Sequence, residues 1–342
     1  MCMTTPLPTL SILDLTPISE GSTATQTLHN SLDLAQQGDA LGYHRYWLSE
    51  HHNTSMLASG APELMVGQIA ARTPRIKVGT GGIMLPNHAP LKVAENFRLL
   101  EALYPGRIDL GLGRAPGTDM RTALALRRSR EALQAEDFPE QLTELQAYLD
   151  NQAIAGIQAI PLGVPAPAVW MLGSSTFGAQ LAAARGLPFA FAHHIQPEPA
   201  LLALQLYHQL FQPNRRNESP QAMLAISVIC AETDQAANEL AMSADLTLLR
   251  FHQFRGQPGP IPSVAEAKMQ LYNPAEQDLI KSNRQRMFVG SPSTLKHQLS
   301  ALAHSMGVKE LMINTLTHAH SDRLNSYRLL AEAFALNDRM KT

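Results

Sequence analysis

Arg75–Gly82 reads RIKVGTGG, and Arg107–Gly113 reads RIDLGLG. Each is a short apolar run ending in glycine, the pattern of a buried strand that stops at a turn. Between them Val93, Phe97 and Leu100 fall on one face at helical spacing. The segment therefore predicts strand, helix, strand, and the same unit extends in both directions. Towards the N-terminus lie a strand over Leu10–Leu15, a helix over Ala24–Leu41, a strand over Tyr43–Leu48 and a helix over Pro62–Ala71. Leu28, Leu32 and Ala35 share a face of the first helix, and Gly42 stops it.

Towards the C-terminus a long helical region ends near Asp150, with Leu142, Leu145 and Leu149 on one face. Strands follow at Ala168–Leu172, Pro188–His193 and Met223–Ile229, separated by helices over Phe177–Arg185 and Glu198–Phe211. Asp234–Leu249 is helical. Phe251–Arg284 breaks the rhythm: it is polar, contains Gln-Pro-Gly-Pro, and reads as an insertion or lid. Ser291-Pro292 is an N-cap followed by proline at the first helical position, opening a helix with Leu295, Leu299 and Leu302. Val308–Thr315 is the eighth strand and Arg323–Leu336 the last helix. Strands alternating with helices argue for a parallel barrel or a doubly wound sheet, and a count of eight favours a (β/α)8 barrel. All 342 residues read as one domain.

The net charge is −2, with no long run of Lys or Arg. That balance offers no electrostatic footprint for nucleic acid or an anionic membrane, so a small-molecule partner is expected. Two cysteines, Cys2 and Cys230, form no Cys-x-x-Cys pair, which argues against a disulfide framework or thiolate metal site. Met1–Leu10 lacks a secretory pattern and no apolar run reaches spanning length, so a soluble cytoplasmic protein is expected.

In such barrels chemistry gathers at the C-terminal strand ends. There the chain places Ser49-Glu50-His51-His52, Gly79-Thr80-Gly81-Gly82, Gly113-Arg114, Gly173-Ser174-Ser175, His193-His194 and Thr317-His318-Ala319-His320. Gly173 allows close approach to the backbone. The hydroxyls of Ser174 and Ser175, with the N–H groups of Phe177 and Gly178 at a helix start, suit an anion, although an ordinary N-cap is an equal alternative. Arg114 either completes a phosphate clamp or makes a surface ion pair. Gly81 and Gly82 mark a bulge, a tight corner or the approach of a flat ligand. Gly111-x-Gly113-x-x-x-Gly117 has one residue too many for a dinucleotide fingerprint. His51 is a candidate acid/base or a structural histidine. Adjacent on a strand, His51 and His52 point to opposite sides. His318 and His320 have workable metal spacing, but only Glu50 or Asp322 can be offered as a third ligand, so no metal is expected.

Trp47–His52 (WLSEHH), Val78–Gly82 with Leu85–Pro90, Pro105–Arg114, Leu172–Ser175 and Arg185–Pro188 together resemble blocks of the bacterial luciferase-like flavin monooxygenase family. The resemblance runs from Leu10 to about Ala333. It implies a TIM-like barrel with FMN, or its reduced form, across the strand ends. Gly81-Gly82 match a non-proline cis peptide against the flavin ring. Arg114, Ser174, Ser175 and the Gly178 backbone match phosphate contacts, and Gly173 and Phe177 belong to the same cradle. His51 matches the active-site histidine, and His193 a pocket position, with His318 assigned to the pocket beside it. The implied reaction uses FMNH2 and O2 to oxygenate a small organic substrate through a C4a-peroxyflavin. A separate flavin reductase is expected because no nicotinamide motif is visible, and a homodimer is expected from the family. F420-dependent hydride transfer and flavin binding without turnover are the alternatives. Gly113 stands where luciferase has a reactive cysteine, and Ser174 where it has a carboxylate. Light emission and a long-chain aldehyde substrate therefore do not carry over.

Overall fold

The computed structural model describes residues 7–127, 137–254 and 256–339. Its strands are β1 Thr9–Asp14, β2 Arg45–Leu48, β3 Lys77–Met84, β4 Ile108–Gly113, β5 Ala168–Gly173, β6 Phe189–Ala192, β7 Ala222–Cys230, β8 Met287–Gly290 and β9 Glu310–Asn314. Its helices are α1 Ala24–Leu41, α2 Pro62–Ala70, α3 Pro90–Leu103, α4 Met120–Arg127, α5 Phe138–Leu149, α6 Thr176–Ala184 and α7 Ala200–Leu210. They continue with α8 Asp234–Gln253, α9 Val264–Met269, α10 Pro274–Arg284, α11 Pro292–Met306, α12 His320–Ala333 and α13 Leu336–Arg339. β1 to β7 and then β9 form a ring of parallel neighbours, closed by β9 on β1. With helices outside, this is the expected eight-stranded barrel.

Period-2 alternation sorts the strand residues. Tyr46, Leu48, Val78, Leu110, Phe189, Leu224 and Ile313 join the apolar layer shared with the helices. Leu13, Trp47, Trp170, Ala190, Met223, Ala225 and Met312 form a separate cluster that fills the barrel. Beside that filling lies a buried ionic knot. Arg45 donates to Asp109 at 2.7 Å and to Glu310 at 2.9 Å, Trp47 Nε1 donates to Asp109 at 2.9 Å, and the guanidinium sits 4.8 Å from the Trp170 ring centroid. A filled barrel leaves chemistry to the loops at the strand ends.

Local signals place the helices. Thr23 caps α1 by accepting from Gln26 N–H at 3.1 Å, and Gly42 ends it at φ 88°. Pro292 opens α11, and Gly307 closes it at φ 65°. One departure from the expected order concerns the stretch before the last unit. β8 lies outside the ring, pairing with Ser227–Cys230 at the end of β7. The described residues of the stretch expected as an insertion, 251–284, include the end of α8, α9 and α10. Among the described residues no helix is long and apolar enough to cross a membrane.

Candidate active site

β5 ends at Gly173, and α6 starts three residues later. A Cβ on Gly178 would lie 3.4 Å from the Cα of Gly173, so the strand end and helix start pack almost backbone to backbone. Ser175 is the N-cap in extended conformation (φ −146°, ψ 172°), but its hydroxyl makes no capping bond. The first N–H groups of α6 thus receive no side-chain cap, the condition for anion binding at a helix start. From the end of neighbouring β4, the Arg114 guanidinium lies 4.3 Å from the Phe177 ring centroid. Among the described residues Arg114 enters no ion pair. The structure therefore gathers Arg114, Gly173, Ser174, Ser175, Phe177 and Gly178 on one rim.

The Gly81–Gly82 peptide is cis. The β3–β4 register shifts between Thr80 and Ile83, with Thr80 opposite Leu110 and Ile83 opposite Leu112. Two glycines thus face one residue, Gly111, in a bulge. A Cβ on Gly82 would stand 2.6 Å from the Gly111 carbonyl oxygen, and one on Gly81 would meet Trp47 at 3.0 Å and Leu13 at 3.1 Å. The bulge rests on the apolar filling of the barrel and leaves side-chain-free backbone near the end of β3, with Gly81 partly exposed and Gly82 buried.

His51 follows β2, with its Nδ1 3.1 Å from Ser49 Oγ. Burial pushes its pKa down to about 4; Glu50 opposes the shift, and His52 and His194 add to it. The ring is neutral at pH 7. His194, adjacent in sequence to the candidate His193, is one of the two imidazoles that disfavour a proton on His51. Its Nδ1 lies 3.0 Å from the Ala225 carbonyl, and burial lowers its pKa. His193 is buried against Phe288 of β8, ring centroids 6.3 Å apart, and its Nδ1 has no partner among the described residues. His318 has its Nε2 3.1 Å from the Glu20 carbonyl oxygen, in a cleft of ≈ 180 Å³ shared with Asn30, His320 and Arg323. His320 pairs with Asp33 at 2.8 Å. Among the described residues no three His, Cys, Asp or Glu side chains gather as a metal site.

Sequence alone offers Glu50 only as a metal ligand, yet it is the hub of this end of the barrel. Its buried carboxylate takes hydrogen bonds from His52, His88, Asn87 and the Met84 N–H. Burial raises the carboxyl pKa, but those donors outweigh it and hold the group below the usual range. Over the same loops Gln257 Nε2 donates to the Asn53 carbonyl at 2.8 Å, and Ile261 N–H to the Ile18 carbonyl at 2.8 Å. The stretch before β8 is thereby fastened to the loops after β1 and β2.

A family model described as luciferase-like monooxygenase matches residues 9–310. The chain is 41% identical over 323 residues to a luciferase-like monooxygenase of Escherichia coli, covering 93% of this chain and 95% of that one. It is 34% identical over 337 residues to the N-acetyl-S-alkylcysteine monooxygenase of Bacillus subtilis, covering 95% and 97%. The crystal structure of apo-MsnO8 superposes with TM-score 0.89 at 38% identity, covering 96% of this chain and 98% of that one. The fold alone is shared with two more distant structures. One is the oxygenating constituent of 3,6-diketocamphane monooxygenase from Pseudomonas putida with FMN (19% identity, TM-score 0.72, covering 95% and 97%). The other is an F420-dependent secondary alcohol dehydrogenase (12%, TM-score 0.64, covering 96% and 99%). By barrel, strand-end residues and match alike, the chain belongs to the luciferase-like monooxygenase family.

Proposed function

We propose that this barrel end binds FMN and, with reduced FMN and O2, oxygenates a small organic substrate. The observation that carries the reading is Arg114 held on Phe177 beside an α6 start whose N-cap hydroxyl caps nothing. A guanidinium, two serine hydroxyls and the Phe177 and Gly178 N–H groups suit a phosphate monoester, and stacking on Phe177 limits the motion of the arginine. Bare backbone at Gly81–Gly82, backed by Trp47 and Leu13, suits a flat ring. Reduced FMN, when bound, supplies the two electrons by which one oxygen atom enters the substrate and the other leaves as water. His51, neutral and held at Nδ1 by Ser49, keeps Nε2 to accept a proton or hold a hydrogen bond at the reacting oxygen. The stretch fastened through Gln257 and Ile261 acts as a cover that limits water at the site.

The Pseudomonas putida relative is the oxygenating constituent of its monooxygenase rather than the whole of it, which supports a separate reductase here. Exposed Leu64, Leu99 and Leu103 on α2 and α3 support a homodimer. The F420-dependent relative makes F420 the competing cofactor to test. For the oxygenase reading, the protein loaded anaerobically with FMNH2 is mixed with aerated buffer. Reoxidation of the bound flavin at least about tenfold slower than that of free FMNH2 is expected, because the site shields it from water. Equal rates would overturn the reading.

A further inference from the structure

Glu50 has no exposed surface, while its partners His52 and His88 are 17% and 28% exposed. Oε1 accepts from His52 Nε2 at 2.9 Å and from Asn87 Nδ2 at 3.2 Å. Oε2 accepts from the Met84 N–H at 2.8 Å, and His88 Nε2 lies 3.0 Å from both oxygens. An ionised carboxylate is acceptor-only on both oxygens, which lets one group serve all four donors. Those donors come from two places. His52 belongs to the β2 loop beside His51, whereas Met84, Asn87 and His88 lie just beyond the glycine bulge of β3. One carboxylate therefore ties the loop carrying His51 to the strand end carrying Gly81–Gly82. The link is ionic as well as geometric. Burial pulls the His88 pKa down, but the Glu50 hydrogen bond and charge outweigh it and leave the imidazole more basic than usual. Glu63, the other acidic group acting on His88, lines a cavity of ≈ 200 Å³ with His88, Lys92 and Asn96, and contacts neither His51 nor the bulge in any hydrogen bond among the described residues.

Resting on the flavin reading above, we propose that Glu50 is the positioning residue of this site: it sets the distance between the His51 imidazole and the Gly81–Gly82 backbone on which the flavin ring lies. It touches neither substrate nor flavin and acts through the two segments it joins.

The test compares wild type, Glu50→Gln, His88→Gln and Glu63→Gln as full chains. Visible circular dichroism of bound FMN reads the seat of the ring. FMN fluorescence quenching reads affinity. Reoxidation of bound FMNH2 by O2, with H2O2 yield, reads the reacting geometry. Thermal midpoints read the fold. Glu50→Gln is expected to alter the flavin dichroism and to speed reoxidation about fivefold or more with matching H2O2, since small misplacements of reacting groups have large rate effects. FMN affinity is expected to change far less. His88→Gln, at a partly exposed position, is expected to give the same changes in weaker form, and serves if Glu50→Gln does not fold. Glu63→Gln is expected to match wild type. Unchanged dichroism and reoxidation in folded Glu50→Gln or His88→Gln, even with a lowered thermal midpoint, would make Glu50 a structural group only and overturn the proposal. Failure of wild type itself to bind FMN would instead overturn the flavin reading on which it rests.

Discussion

Burial keeps the His51 ring neutral down to about pH 4, so it can accept a proton throughout the range in which most enzymes work. His51→Ala is expected to slow oxygenation about 10²- to 10⁴-fold, the usual worth of a positioned acid/base, while FMN affinity holds. Parallel kinetic and quenching measurements check this, and equal loss of both would assign His51 to binding instead. The same shift fixes a sign for stability. The folded pKa lies below that of the unfolded chain, so protons favour unfolding, and stability declines as pH falls from about 6.5 through about 4. His88 works the other way: its raised pKa contributes stability below about 6.5 that is lost as pH rises through its folded value. Thermal midpoints across pH are expected to show a shallower acid decline in His51→Gln and a shallower alkaline decline in His88→Gln. Gly82→Ala would set a Cβ 2.6 Å from the Gly111 carbonyl oxygen; a lowered thermal midpoint and weakened FMN binding are expected together.

At the scale of elements, the α6 start and the end of β4 make separable contributions. Arg114→Ala is expected to weaken FMN binding about tenfold or more while leaving riboflavin, which lacks the phosphate, nearly unchanged; a charge-assisted hydrogen bond has that worth. Lysine at the position restores charge but not the planar stack on Phe177, so partial recovery is expected. Elements whose ends carry their own chemistry were legible in the sequence: α1 up to its stop at Gly42, α11 from Ser291-Pro292, and, as one of the readings of its glycines, the bulge at Gly81–Gly82. β8 was not, because four residues, MFVG, show no useful alternation and pair only with the extended end of β7. α10 carries a legible signal, Asn273-Pro274 with Glu276 completing a capping box, hidden within a polar stretch. Neither was the part of Glu50, whose donors converge from separate loops only once the barrel closes. The settings of His193 and His194 have the same origin: β6 ends at Ala192, so alternation no longer dictates where either ring goes, and it is the Ala225 carbonyl that holds His194.

For the whole molecule, the count of strand–helix units was enough to anticipate the barrel, because only a closed ring gives eight parallel strands two covered faces without free edges. What fills that ring depends on pairings that cross the chain. Arg45 holds Asp109 and Glu310 in a site where its own side chain is 7% exposed. Arg45→Met leaves both carboxylates short of their cation and is expected to cost about 3–5 kcal/mol in denaturant unfolding. The proposed homodimer is tested by Leu99→Glu, at an exposed position of α3, which is expected to lower the sedimentation coefficient from the dimer's value to the monomer's without loss of fold. The claim on which all of this turns is that the strand ends of β3 to β5 form a flavin phosphate and ring site. Equilibrium titration of the purified protein with FMN, riboflavin and F420, read by fluorescence, tests it most directly. Saturable FMN binding, riboflavin weaker by about tenfold or more and F420 weaker than FMN is the expected result; equal binding of FMN and riboflavin, or tighter binding of F420, would contradict it.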